Sequence, residues 1–130
     1  MNQGPIALNK GTGLEVELLP LGATIRSIRL FGQELTLNYP QAADYQTDEF
    51  YLGATAGRVA NRIAKGTYKV DGIEYHAALN NNGQSLHGGL KGFDKVVWTA
   101  TPLAGDSSIQ LNYESKDGEE GYPGNLKVQV

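Results

Sequence analysis

Residues 66–77 read GTYKVDGIEYHA, and this stretch decides the fold class. Asp71-Gly72 supplies the two positive-φ positions of a type I′ turn between two β-prone runs. A two-residue turn fixes the register, so Val70 faces Ile73 and Tyr68 faces Tyr75 on one side, while Lys69 faces Glu74 and Thr67 faces His76 on the other. One face is apolar and the other polar, so the segment is a hairpin and His76 belongs to its polar face.

Strand patterns continue on both sides. Upstream, Leu14, Val16 and Leu18 alternate until Pro20 and Gly22 close the run. Residues 23–30 and 34–37 flank Phe31-Gly32-Gln33 and read as a second hairpin with a three-residue loop. Downstream, residues 96–101 read as a strand holding the sole tryptophan, and Ile109, Leu111 and Tyr113 mark another. Residues 118–124 are turn-rich, and Leu126, Val128 and Val130 alternate again, so the sequence stops inside a strand. Residues 41–48 suit a short helical turn. Seventeen glycines punctuate the chain too often for long helices. The architecture is therefore all-β, a single domain over residues 1–130, with a β-sandwich as the natural way for many half-apolar strands to bury one face each. An apolar strand at the end of the chain implies that further sequence, or a second copy, extends the sheet through exposed strand edges.

Composition excludes several classes. A formal charge of -3 without a Lys/Arg cluster argues against a nucleic-acid partner. With no cysteine there is neither a disulfide framework nor a thiolate metal site, and a cytoplasmic location is the simplest. No stretch has the length of a membrane span, and the first residues lack the pattern of a signal peptide. Two histidines, His76 and His87, without clustered carboxylates form no recognisable metal set.

Two stretches depart from strand patterning: residues 53–64, GATAGRVANRIA, and residues 79–94, LNNNGQSLHGGLKGFD. Small residues permit close backbone approach to a ligand, and Arg, Asn and His offer the directional hydrogen bonds that grip sugar hydroxyls. Neither stretch matches a phosphate-binding loop. Arg62 reads equally as a surface arginine or a ligand-facing one. Asn61 and Arg62 interrupt an apolar run between Ala60 and Ile63, a costly placement unless both are partnered. Arg58 reads as structural. His87, between Leu86 and Gly88-Gly89, is either a locally bonded loop histidine or an imidazole reaching a cleft that the glycines keep open. At least two of Asn80, Asn81 and Asn82 suit Asx turns.

At these two stretches the chain resembles aldose 1-epimerases: GRVANRIAKGTY, followed after the hairpin by LNNNGQSLHGGLKGFDKVVW, is similar to that family's paired N-terminal motifs. LGATIRSIRL and YPGNLKVQV look like family segments too. The resemblance implies an N-terminal part of a β-sandwich of the galactose-mutarotase type, interconverting α and β anomers of hexoses such as galactose or glucose without metal or organic cofactor. By that likeness Asn61 and Arg62 correspond to a sugar-binding Asn-Arg pair, and His87, the histidine of the LHGG motif, binds substrate and assists catalysis. The family's principal acid, a histidine, and its base, a glutamate, correspond to nothing in this chain, which by itself is expected to be nearly inactive. Two other readings remain open: a sugar-binding sandwich without catalysis, and an epimerase of hexose 6-phosphates, which would need additional basic residues.

Overall fold

A computed structural model describes residues 4–103, 105 and 107–130. Four small antiparallel sheets hold the regular structure. The first, in the order β1-β2-β3-β4, comprises β1 (Ile6–Leu8), β2 (Leu14–Leu19), β3 (Thr24–Leu30) and β4 (Gln33–Glu34). Two pairs follow, β5 (Arg62–Ile63) with β8 (Ser85–Leu86) and β6 (Thr67–Val70) with β7 (Ile73–His76). The last sheet places β10 (Ile109–Ser115) between β9 (Thr99–Pro102) and β11 (Leu126–Gln129). The only helical pieces among the described residues are short 3₁₀ turns, one of them at Ala42–Gln46 where a helical turn is expected.

The hairpin pairs as its turn dictates: Val70 with Ile73, Lys69 with Glu74, Tyr68 with Tyr75 and Thr67 with His76. Asp71 and Gly72 take φ values of 50° and 81°, the positive pair that a type I′ turn requires. Its apolar side is only half used. Tyr68 and Tyr75 stack at 5.7 Å and Tyr68 meets the ring of buried Tyr122 at the same distance, whereas Val70 and Ile73 at the tip are exposed.

Three strand expectations need correction. In β2 the register against β3 shifts between Glu17 and Leu18, so the alternation breaks and Leu18 and Leu19 are both buried while Leu14 is exposed. The unpaired residue is Arg26 of β3, and a bulge of this kind re-aims the side chains around it. The loop after β3 has two residues, because Leu30 pairs directly with Gln33 and Phe31 and Gly32 take φ values of 49° and 82°. Its return strand is only Gln33–Glu34, since the Glu34 carboxylate bends back to accept hydrogen bonds from Ser27, the Ile28 and Thr36 amides and the Thr36 hydroxyl. Finally, Trp98 precedes its strand, its amide donating to the Pro20 carbonyl at 2.8 Å.

That displacement carries Trp98 into the core. It is 1 % exposed, its indole N–H donates to the Phe93 carbonyl at 3.0 Å, and Phe93 and Tyr113 meet its ring at 5.5 and 5.6 Å. Ala23, Val96 and Leu111 complete the cluster, which joins the turn before β3 to the β9-β10-β11 sheet. An aromatic triad in edge and tilted geometries adds about 0.5–1.5 kcal/mol per pair to its area burial.

A second fastener joins the loop before β5 to the same sheet. The Arg58 guanidinium donates to Ser115 Oγ at 2.8 Å and to the carbonyls of Ser115, Lys116 and Pro123 at 2.8–3.1 Å, with the Tyr122 ring beside it. Ser115 is wholly buried, so the two bonds to it satisfy polar groups that water cannot reach. Arg58 is structural, in line with its reading from sequence.

Candidate functional site

The hairpin is an excursion between the two polar stretches, and its antiparallel base brings their ends back together. β5 and β8 pair Arg62 with Leu86 and Ile63 with Ser85. Asn61 therefore lies just before one strand and His87 just after the other, opposite each other across the ladder. The His87 amide donates to the Asn61 carbonyl at 3.1 Å, and the Asn61 amide donates to His87 Nδ1 at 3.0 Å. Both residues take positive φ, 64° for Asn61 and 49° for His87. Asn tolerates that region readily and histidine less so, which makes the paired turn a local concentration of backbone strain.

The bond to Nδ1 has a chemical consequence. When the ring is neutral, a nitrogen that accepts a hydrogen bond carries no proton, so the proton sits on Nε2. His87 thus presents an N–H donor on the side away from Asn61. Its ring packs on Tyr51 at a centroid separation of 4.6 Å and a tilt of 60°.

Arg62 extends beside them. Its Nε donates to Asn81 Oδ1 at 3.0 Å, and Nη1 lies 3.5 Å from Asn61 Oδ1. The placement corrects one expectation: Asn61 and Arg62 are both exposed, as are Ala60 and Ala64, so the pair bears no burial cost. What remains is an open guanidinium anchored at its stem.

Asn80 is the staple of the histidine loop. Its Nδ2 donates to the carbonyls of Leu86 at 2.9 Å and Gly89 at 2.8 Å, and its Oδ1 accepts the Leu86 amide at 2.7 Å. The three bonds bracket His87 on both sides. The two glycines do not open the surroundings, as their size suggests they should, but let the loop pack tightly. Gly88 sits against the Gly57 carbonyl and Gly89 against the Glu120 side chain, where a Cβ on either would collide. Glu120 Oε2 in turn accepts the Leu90 amide at 2.6 Å.

A cleft of about 430 Å³ adjoins this cluster, walled by Tyr51, Asn80, Asn81 and Leu86 on one side and by Asp48, Asp94 and Lys95 on another. Asn61, Arg62 and His87 do not line it themselves but meet it through Asn81 and Tyr51. A slightly larger hollow of about 480 Å³ lies on the β9-β10-β11 sheet, lined by Thr99, Tyr113 and Lys127 among others. Lys95 pairs with Asp94 at 3.0 Å and donates to the Asp48 carbonyl at 2.7 Å, with its ammonium 5.9 Å from the Tyr51 ring centre. Burial would raise the Asp48 carboxyl, but the amides of Phe50 and Leu52, the Tyr39 hydroxyl and Lys95 outweigh it and hold the group below its ordinary value. Burial, with Asp94 nearby, pushes the Tyr51 phenol up. Two residues of this neighbourhood escape sequence reading. Asn81 passes for a turn residue, and Tyr51 carries no local signal beyond being aromatic.

The other candidates fall elsewhere. His76 is 70 % exposed on the hairpin, 3.4 Å from Glu74 and 3.4 Å from the Thr67 hydroxyl. Among the described residues no group of His, Asp and Glu is placed to hold a metal ion, and no helix is long and apolar enough to cross a membrane.

The family model for aldose 1-epimerase matches residues 5–130. The chain is 47 % identical over 122 residues to galactose mutarotase from Homo sapiens, covering 90 % of this chain and 35 % of that protein. It is 33 % identical over 129 residues to maltose epimerase from Levilactobacillus brevis, covering 95 % and 38 %. Among solved structures it superposes on an aldose epimerase homologue from C. elegans with a TM-score of 0.89 at 32 % identity, covering 98 % of this chain and 40 % of the other. Galactose 1-epimerase from Lactobacillus acidophilus gives 0.84 at 33 % identity, covering 95 % and 37 %. The chain spans about a third of the length of the curated relatives it matches.

Proposed function

Because the chain belongs to the aldose 1-epimerase family, we propose that Asn61, Arg62 and His87 form the sugar-orienting part of a site that interconverts the α and β anomers of a neutral hexose such as galactose or glucose. The observation that carries this reading is the reciprocal pair of hydrogen bonds between Asn61 and His87, which leaves the neutral imidazole its proton on Nε2, together with the Arg62 guanidinium held by Asn81 and Asn61.

Anomer exchange needs a base to take the proton from the anomeric hydroxyl and an acid to protonate the ring oxygen. The bond between C1 and the ring oxygen then breaks, C1 rotates, and closure from the other face gives the second anomer. Arg62 is charged at any working pH, so it orients hydroxyls and stabilises negative charge on oxygen without shuttling protons. The His87 Nε2–H can donate towards the ring oxygen. A second proton-transfer group is required, and Glu119 and Glu120 are engaged in holding backbone and side chains: Glu120 accepts the Leu90 amide, and Glu119 accepts from Tyr113 and Ser115. The chain by itself is therefore expected to bind hexose with little turnover, acting as one unit over residues 1–130. Further strands, from the same sandwich or a second copy, would add at the open edges of β9 and β11. A cytoplasmic location accords with the lack of cysteine.

The cleft argues against a 6-phosphorylated substrate. Asp48, Glu49 and Asp94 line it against a single lysine, and a phosphate dianion would meet net repulsion there.

Two measurements test the proposal. Polarimetry of α-galactose equilibration with this chain should match buffer closely, and a large acceleration would mean that the missing proton-transfer group is present after all. Saturation-transfer NMR should detect galactose on the chain, and Arg62→Ala should weaken binding about ten- to a hundred-fold, since a charge-assisted hydrogen bond is worth about 1.5–3 kcal/mol. Unchanged binding would remove Arg62 from the site.

A further inference from the structure

Tyr51 stands out for its backbone. It takes φ of 57°, a region that costs a bulky non-glycine residue about 1–3 kcal/mol and persists only when its surroundings impose it. Nothing in the local sequence demands an aromatic there, since Gly53 two residues on also has positive φ and the intervening turn is closed by the Ala54 amide donating to the Tyr51 carbonyl at 3.2 Å. What the conformation achieves is to set the phenol ring on the His87 imidazole at 4.6 Å while the same residue lines the 430 Å³ cleft. Asn61 fixes the imidazole through one edge atom only, and a single hydrogen bond leaves the ring free to tilt about it. The tilted contact with the Tyr51 ring removes that freedom, and Lys95, held by Asp94 and the Asp48 carbonyl, sits by the Tyr51 ring and lines the same cleft.

We propose that Tyr51 is a positioning residue for His87: its ring, together with the Asn61 amide, holds the imidazole in the orientation and tautomer that presents Nε2–H to a bound pyranose. The inference rests on the proposed sugar site, but its first readout needs no sugar. In the chain labelled with ¹⁵N-histidine, long-range proton–nitrogen spectra at a pH where the ring is neutral should show His87 as a single Nε2–H tautomer, with its ring protons displaced by the ring current of Tyr51, which packs against it at 4.6 Å. Tyr51→Phe keeps the aromatic face and should preserve both signatures. Tyr51→Asn suits the positive φ while removing the ring, so the backbone is kept and His87 should relax to a mixture of tautomers, with the ring-current shift lost. His76, distant on the hairpin, serves as the folding control and should not change. An unaltered His87 tautomer in Tyr51→Asn would overturn the proposal. So would the absence of any ring-current shift at His87 in the unsubstituted chain, a measurement that holds even if that variant fails to fold. Adding galactose separates the two readings. Loss of galactose binding in Tyr51→Asn with retention in Tyr51→Phe is the expected result. A His87 tautomer that depends on Tyr51 in a chain that never binds galactose would sustain the positioning role and defeat the sugar site, whereas galactose binding indifferent to both substitutions would defeat the positioning role alone.

Discussion

At Asn61 and His87 two backbones in the left-handed region face each other, and the side chain of one is held by the amide of the other. A histidine so placed is a donor by construction, and its contribution should not survive loss of the Nε2–H. His87→Asn is expected to weaken galactose binding at least ten-fold, while His76→Gln, on an exposed strand face, should leave it within two-fold, as direct titration of each variant would reveal. Equal effects would contradict the assignment. The residues that supply these groups were legible because His and Arg are few and, with Asn61, lie in glycine-containing stretches that break the strand pattern. Tyr51 and Asn81 were not, since their roles arise from contacts spanning 36 and 19 positions that no local pattern encodes.

Elements here are short, and their turns decide more than their strands do. Gly72 at φ 81° has open space where a Cβ would go, so Gly72→Ala should cost about 1 kcal/mol through backbone conformation alone, read from the denaturant midpoint. The turn from β3 to β4 adds a pH-dependent clasp. Burial would raise the Glu34 carboxyl, yet the hydrogen bonds from Ser27, Thr36 and Ile28 prevail and bring it from its ordinary 4.5 down to about 2. A carboxyl depressed by folding stabilises the native state above its unfolded value and loses that contribution as pH falls through the folded one. Stability should thus decline between about pH 4.5 and 2 by an amount that Glu34→Gln abolishes; a variant with the same acid profile would exclude the clasp. The 66–77 hairpin could be read to its register because Asp-Gly admits one turn type. The β3 bulge at Arg26 and the late start of β9 could not, because each answers to a partner outside its own segment, the β2 strand and the Pro20 carbonyl.

Across the whole molecule, two fasteners carry the polar loops on the β9-β10-β11 sheet: the aromatic cluster around Trp98 and the Arg58 fork into Ser115, Lys116 and Pro123. Arg58→Lys keeps the charge but not the fork, and should lower unfolding free energy by about 1–3 kcal/mol, chiefly through the acceptors of buried Ser115 that it leaves unmet. Thermal or urea unfolding would register it, and a loss below about 1 kcal/mol would show that the fork is ornamental. All-β architecture was visible in the alternation and the glycine spacing, whereas the division into four small sheets depends on pairings among distant segments. The proposed site depends on the hairpin's base returning residue 87 to residue 61, so the most direct test follows galactose across the amide spectrum of the chain. The account predicts that the amides of Asn61, Arg62, Asn81 and His87 shift together and saturably while those of Asp71 and Gly72 stay still; shifts confined to the β9-β10-β11 sheet, or none at any concentration, would contradict it.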